Sequence, residues 1–344
     1  MSELDNHALI AGVLVLGGFL AIFLLMRSRS QYNFNNKTVL ITGGSRGLGL
    51  VMARQLARQG AKLAICARDA AELERARIDL VEQGADVLAL PCDVTDKEQV
   101  EQMVQGVRDR FSQIDVLINN AGIIAVGPID VMTLDDYDTA MKVHFWASLY
   151  TTLAVLPEMR QRREGRIVNI SSIGGKISVP HLLPYSASKF ALTGFSEGLR
   201  AEVAKDNIIV TTICPGLMRT GSPYNALMKG QHRAEFTWFS LSDSLPIISI
   251  SAERAARQII KACQQGKAEV VISLTAQLAT KFHDLFPGLT SNLLGIVNKF
   301  LPEPGGIGTE AAKGIDSTSE LTPSVLTSLT DQAAQQNNQF ASKQ

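Results

Sequence analysis

The strongest constraint on this chain is an alternation that begins at Lys37. Short apolar runs at 38–42, 62–67, 86–91, 115–119, 166–171 and 208–214 are separated by longer amphipathic stretches such as 48–59, 70–83 and 97–111. The runs have strand length, and their near-continuous Val, Leu and Ile content suits strands buried on both faces. The stretches between them carry apolar residues at helical spacing, so each buries one face against a sheet. Strand followed by helix in this order predicts an α/β fold with a doubly wound parallel sheet. A helix over 252–264 and a strand over 269–273 complete it, giving one large domain over 36–273.

Ahead of that domain, Ala8 to Met26 is a run of 19 residues without a charge. As a helix it extends about 28 Å at about 1.5 Å per residue, close to the bilayer core of about 30 Å. Glu3 and Asp5 precede it while Arg27 and Arg29 follow, so residues 1–30 read as a single-pass N-terminal transmembrane helix with the remaining chain on the cytoplasmic side. A cleaved signal peptide is disfavoured, because arginines stand where cleavage would fall. The ten residues from Arg27 to Asn36 span at most about 35 Å, which confines the domain to the vicinity of the membrane.

After Thr220 the alternation relaxes as far as Ile250, where Pro223, Gly230 and Pro246 interrupt a stretch with Tyr224, Phe236, Trp238 and Phe239, a candidate substrate lid. A stripe of Leu278, Phe282, Leu285, Leu289, Leu293, Ile296 and Phe300, broken at Pro287-Gly288, predicts two helices over 274–301. Their apolar faces suit the domain itself, a partner subunit or a bilayer surface, with packing onto the domain the leading expectation. Residues 302–344 are rich in Gly, Ser, Thr and Gln, and read as a mostly disordered tail. Lys+Arg and Asp+Glu balance at 33 each, which argues against nucleic acid as a partner. Cys66, Cys92, Cys214 and Cys263 lie far apart without a C-x-x-C pair, so neither a disulfide scaffold nor a metal site is expected.

Chemistry concentrates at two places. The first strand, Thr38 to Thr42, runs into Gly43-Gly44-Ser45-Arg46-Gly47-Leu48-Gly49, after which a helix begins. Glycines let the backbone approach a ligand closely, and the free N–H groups and dipole of the helix start favour a diphosphate. The junction therefore predicts a Rossmann-like dinucleotide site formed by Gly43, Ser45, Arg46, Gly47, Leu48 and Gly49. Where NAD enzymes place a carboxylate at the end of the second strand, this chain has Ala67-Arg68. Arg68 and Arg46 could pair with a 2′-phosphate, favouring NADP, and Asp69 reads as the cap of the next helix. The second place is Tyr185-Ser186-Ala187-Ser188-Lys189, which puts a phenol and an ammonium one helical turn apart, 13 residues after Ser172 at a strand end. A neighbouring ammonium stabilises a phenolate, so Lys189 is expected to lower the Tyr185 pKa.

Taken in order, Thr42-Gly43 through Gly49, Cys92-Asp93-Val94, Asn119-Asn120-Ala121-Gly122, Ser172, Tyr185 to Lys189, and Pro215-Gly216 followed by Thr220 resemble the short-chain dehydrogenase/reductase family, over roughly 36–273. The resemblance implies Ser172, Tyr185 and Lys189 as the catalytic set, with Tyr185 the acid/base, Ser172 orienting the substrate oxygen and Lys189 also holding the nicotinamide ribose. It further implies Asp93 and Val94 beside the adenine, Asn120 and Gly122 lining the cofactor cleft, and Pro215, Gly216 and Thr220 at the nicotinamide end. A homo-oligomer is implied as well. His144 departs from the pattern, standing where family members commonly carry an asparagine, and is left outside the catalytic set. The whole reads as a membrane-anchored oxidoreductase moving a hydride between NADP(H) and a lipophilic ketone, aldehyde or alcohol. A non-catalytic nucleotide-binding scaffold or sensor is the alternative, prompted by His144 and the tail.

Overall fold

The first strand, β1 (Thr38–Thr42), is buried along its whole length because it lies inside the sheet with a strand on either side. A computed structural model describes residues 31–325 and 327–340. After β1 the chain alternates through α1 (Gly47–Ala57), β2 (Lys62–Ala67), α2 (Ala70–Glu82), β3 (Val87–Pro91), α3 (Lys97–Phe111) and β4 (Val116–Asn119). A short strand β5 (Ala125–Val126), α4 (Leu134–Met141), a π-helical turn (Lys142–Trp146) and α5 (Ala147–Arg162) lead to β6 (Gly165–Ile170), α6 (Leu183–Val203) and β7 (Ile208–Pro215). With a last strand, β11 (Glu269–Ile272), the seven-stranded sheet has the order β11-β7-β6-β4-β1-β2-β3. Its pairs are all parallel. The doubly wound, Rossmann-like architecture expected above is therefore present.

The direction of winding reverses between β1 and β4, and a cleft opens beyond the carboxyl ends of those strands. Apolar residues hold the layers together: Leu40, Ala64 and Leu117 from the strands meet Val100, Val104 and Val107 from α3 in one cluster. Each such Val or Leu side chain contributes about 1.5–3 kcal/mol on burial. Asp69 accepts a hydrogen bond from Glu72 N at 2.8 Å and so caps α2, as its position suggested. The four cysteines are buried free thiols.

Beyond β7 comes β8 (Leu217–Arg219), and the stretch after Thr220 expected to form a lid then contains β9 (Leu227–Met228) and a helix, α7 (His232–Ser244). Then come β10 (Ser249–Ser251), α8 (Ala252–Gln265) and β11 (Glu269–Ile272). The predicted helix pair follows as α9 (Leu274–Leu285) and α10 (Pro287–Asn298), broken at the proline. Packing of the stripe onto the domain is not observed. Leu278, Leu285, Leu293, Ile296 and Phe300 are exposed, and the two helices bury only Ala276, Thr280 and Thr290. The small residues make the contact, so the large ones turn outward.

The expectation of disorder after 302 is corrected. Strand β12 (Ala312–Lys313) pairs antiparallel with β9, and α11 (Ser328–Gln336) packs on α7. Ser244 Oγ donates to Thr330 Oγ1 at 2.7 Å, and Tyr224 Oη donates to Asp331 Oδ1 at 2.6 Å. Low hydrophobicity misled because this segment docks through buried hydroxyls and amides. The apolar run 8–26, and with it the anchor expected over residues 1–30, lies outside the described residues. Among the described residues no helix is long and apolar enough to cross a membrane.

Candidate active site

At the end of β1 the chain must turn sharply into α1, and Gly43 (φ +64) and Gly47 (φ +55) take left-handed conformations that favour glycine. Gly49 is dictated by space: a Cβ there would lie 2.1 Å from Gly43 O. Asn120 fixes the turn, its Nδ2 donating to Thr42 O and Gly43 O at 3.0 Å each. The N-cap residue Arg46 supplies no side-chain cap, so the first N–H groups of α1 face the cleft. Such a junction fits an anionic diphosphate. Gly216 N bonds Ile272 O at 3.1 Å, and a Cβ built on Gly47 would meet Thr220 Cβ at 3.9 Å, so the Pro215–Thr220 stretch faces the loop.

Four expected cofactor residues, Ser45, Arg46, Asp93 and Val94, are placed differently from their simplest reading. Arg46 pairs with Glu72 at 2.7 Å and with Asn225 Oδ1 at 3.1 Å, and the Ser45 hydroxyl also bonds Glu72. Glu72 follows from the start of α2 and could not be paired with Arg46 by spacing alone. Asp93 accepts from Thr95 N and Oγ1, which shapes the turn before α3, and Val94 is buried in the core beside it. Arg68 is exposed at the end of β2. Leu48 is buried.

Ser172, Tyr185 and Lys189 converge. Ser172 accepts from Gly174 N at 3.0 Å, which leaves its own hydroxyl proton free to donate. A Cβ at Gly174 would stand 3.1 Å from the Tyr185 ring and 3.4 Å from Ser172 Oγ, so the phenol and the hydroxyl meet over a glycine. Lys189 Nζ lies 5.6 Å from the Tyr185 ring centroid and donates to Ile170 O at 2.9 Å. The expected depression of the Tyr185 pKa is not found. Burial pushes the phenol above its ordinary value, and the Ser172 hydroxyl recovers only part of the shift. Lys189 is itself desolvated, its pKa falling to about 7, so it is a weak source of positive charge.

His144 is fully buried on the π-helical turn. Its Nε2 accepts from Ile123 N at 3.2 Å, so Nδ1 carries the proton and donates to Ser188 Oγ at 2.7 Å. Ser188 in turn donates to Tyr185 O at 2.8 Å. Burial, reinforced by the Lys189 charge, holds the imidazole well below its ordinary pKa. The ring thus ties the loop after β4 to the helix that carries Tyr185. A Cβ at Gly122 would crowd His144 Nε2 at 3.2 Å.

An apolar wall stands beside the phenol. Leu182, Tyr224, Phe236 and Phe239 form one buried cluster, against which Val179, Tyr185 and Trp238 pack. Behind it, buried His181 Nδ1 and Glu235 Oε1 are 2.8 Å apart, and Trp238 Nε1 donates to Glu235 Oε2 at 2.6 Å. Nothing in the spacing of His181 and Glu235 announced this pair.

A family model described as short chain dehydrogenase matches residues 37–227. An Anopheles gambiae protein, dehydrogenase/reductase SDR family protein 7-like, is 38% identical over 261 residues, covering 74% of this chain and 81% of the relative. The chain belongs to the short-chain dehydrogenase/reductase family of oxidoreductases. A fatty acyl-CoA reductase of Acinetobacter baylyi is 36% identical over 190 residues, 55% of this chain and 64% of that protein. A Burkholderia phymatum short chain dehydrogenase/reductase, solved in complex with NAD, shares the fold with a TM-score of 0.70 at 22% identity over 75% of this chain and 96% of that one.

Proposed function

We propose that this protein reduces lipophilic ketones or aldehydes to alcohols with NADPH, with Tyr185 delivering the proton. The observation that carries the reading is the meeting of Ser172, Tyr185 and Lys189 beside an apolar wall, at the cleft that the glycine loop opens. The nicotinamide supplies hydride to the carbonyl carbon when bound. A phenol whose pKa is raised stays protonated at neutral pH, which suits a donor to the developing alkoxide better than a base. Ser172 Oγ–H orients the same oxygen, Lys189 holds its place through Ile170 O, and solvent returns the proton to Tyr185.

NADP is favoured because no carboxylate ends β2 and Arg68 is exposed beside the glycine loop, with Arg46 able to exchange Glu72 for a 2′-phosphate. Residues 8–26 as a single-pass anchor, with the catalytic unit on the cytoplasmic side, suit a bilayer-held substrate, and so does the outward apolar face of α9 and α10. The reductase of acyl chains among the relatives points to the same substrate class. Incubation with NADPH and a panel of hydrophobic carbonyls should consume the cofactor, and Tyr185→Phe should lower turnover by about 10²–10⁴-fold. An unimpaired Tyr185→Phe enzyme would refute the assigned proton donor.

A further inference from the structure

The segment 336–340 lies across the glycine loop. Asn337 O accepts the N–H of Gly47 at 2.9 Å, filling one of the helix-start donors that a diphosphate needs. Asn338 Nδ2 donates to Ser45 O at 2.8 Å and to Glu72 O at 3.0 Å, while Arg75 Nε donates to Asn338 Oδ1 at 3.0 Å. Gln339 Nε2 donates to Thr220 O at 3.0 Å, so this amide bridges the two walls of the cleft. A Cβ built on Gly47 would meet Gln339 Nε2 at 2.9 Å, so the space beside the loop is filled. Asn225 Nδ2 grips Gln339 O and Oε1 at 3.0 and 2.8 Å, and Phe340 rests on Tyr224 with ring centroids 4.9 Å apart.

Resting on the proposed dinucleotide function, we infer that segment 336–340 is an autoinhibitory strap that competes with the cofactor diphosphate for the Gly47–Thr220 cleft. The strap is built to leave. It brings neutral amides to a helix end whose dipole favours negative charge, so a diphosphate is the better occupant. Asn337 Nδ2 is buried without an acceptor among the described residues, a penalty that release removes. Asn338 sits at φ +56, a left-handed conformation that asparagine tolerates better than most residues. Arg54 Nη1 holds Gln336 O, at the end of α11, at 3.1 Å and reaches Asn337 Oδ1 at 3.4 Å, so lifting the strap breaks the second contact while the first keeps α11 docked.

The test measures NADPH affinity and amide hydrogen exchange on the full chain, comparing wild type, the double variant Asn338→Ala/Gln339→Ala, and Arg75→Ala, which removes a strap contact without altering the strap. A strap closed nine times in ten lowers apparent affinity about tenfold, so the double variant should bind NADPH about tenfold tighter, with Arg75→Ala shifted the same way. In wild type, saturating NADPH should speed exchange at 336–340 while slowing it in the glycine loop. Unchanged or weaker binding in both variants, or a strap that becomes more protected when NADPH binds, overturns autoinhibition. If neither wild type nor variants bind any nicotinamide dinucleotide, although exchange shows the strap released in the variants, the cofactor reading itself is what fails.

Discussion

Replacing Lys189 with methionine should strengthen the fold while silencing the site. Lys189 is only 4% exposed, and burial draws its pKa from 10.5 to about 7. One unit corresponds to about 1.36 kcal/mol, so a drop of about 3.5 units opposes folding by about 5 kcal/mol when the lysine is charged in both states. Below pH 7 that penalty acts in full. Between about pH 7 and 10.5 the unfolded chain holds a proton that the folded chain lacks, so stability climbs with pH, and above that window the penalty is gone. Methionine removes the charge but also the donor to Ile170 O, and a buried carbonyl left bare costs about 1–3 kcal/mol. The variant should therefore be about 2–4 kcal/mol more stable than wild type near pH 6, and about 1–3 kcal/mol less stable above about pH 10.5. Urea unfolding at a series of pH values measures the difference directly. Two stability curves that run parallel from pH 7 to 10 would show that Lys189 carries no buried-charge penalty, and the argument for its weak influence on Tyr185 would fall with it.

Other expectations are more compact. Asp243, buried and accepting from Thr330 Oγ1 at 3.1 Å, has its carboxyl pushed up to about 7 by burial. Its raised pKa adds stability below about pH 4 that is lost as pH rises through 7, so Asp243→Asn should gain about 4 kcal/mol over wild type at pH 8 by denaturant titration, and no gain would refute the assignment. Gly49→Ala should weaken NADPH binding by about tenfold or more, read by calorimetry, because the new methyl collides with Gly43 O. His144 should show no NMR titration around the ordinary imidazole midpoint of 6.5, and His144→Phe should lose about 1–3 kcal/mol of stability by leaving Ile123 N–H and Ser188 Oγ without their ring partner. A His144 midpoint near 6.5 would contradict the neutral tautomer.

The parts of this architecture that repeat a simple period were legible from residues alone. Strands 38–42 and 62–67 and helix 97–111 fall where alternation and helical spacing put them, since each needs only a local pattern to declare itself. The glycine loop and the Tyr185–Lys189 pair were legible for the same reason, being contiguous or one turn long, and Ser172 was drawn in by its place at a strand end 13 residues earlier. What escaped depends on partners remote in the chain. Arg46 is claimed by Glu72, and the Tyr185 phenol is buried beside a cluster that includes Phe236 and Phe239, which reverses the direction of its pKa shift. Segment 302–340 escaped because Thr330, Asn337 and Gln339 are buried through polar bonds, which hydrophobicity cannot register. The helices of 274–301 were foreseen but not their facing, because Ala276 and Thr280 rather than the leucines make the contact.

The outward leucines and phenylalanines of α9 and α10 bear on how this protein must be handled. In plain buffer such faces stick to one another, so particle sizes measured without an amphiphile count aggregates of that helix pair instead of true subunits. Mild surfactant above its micelle threshold masks the patch, and only under those conditions does a mass measurement report the native assembly.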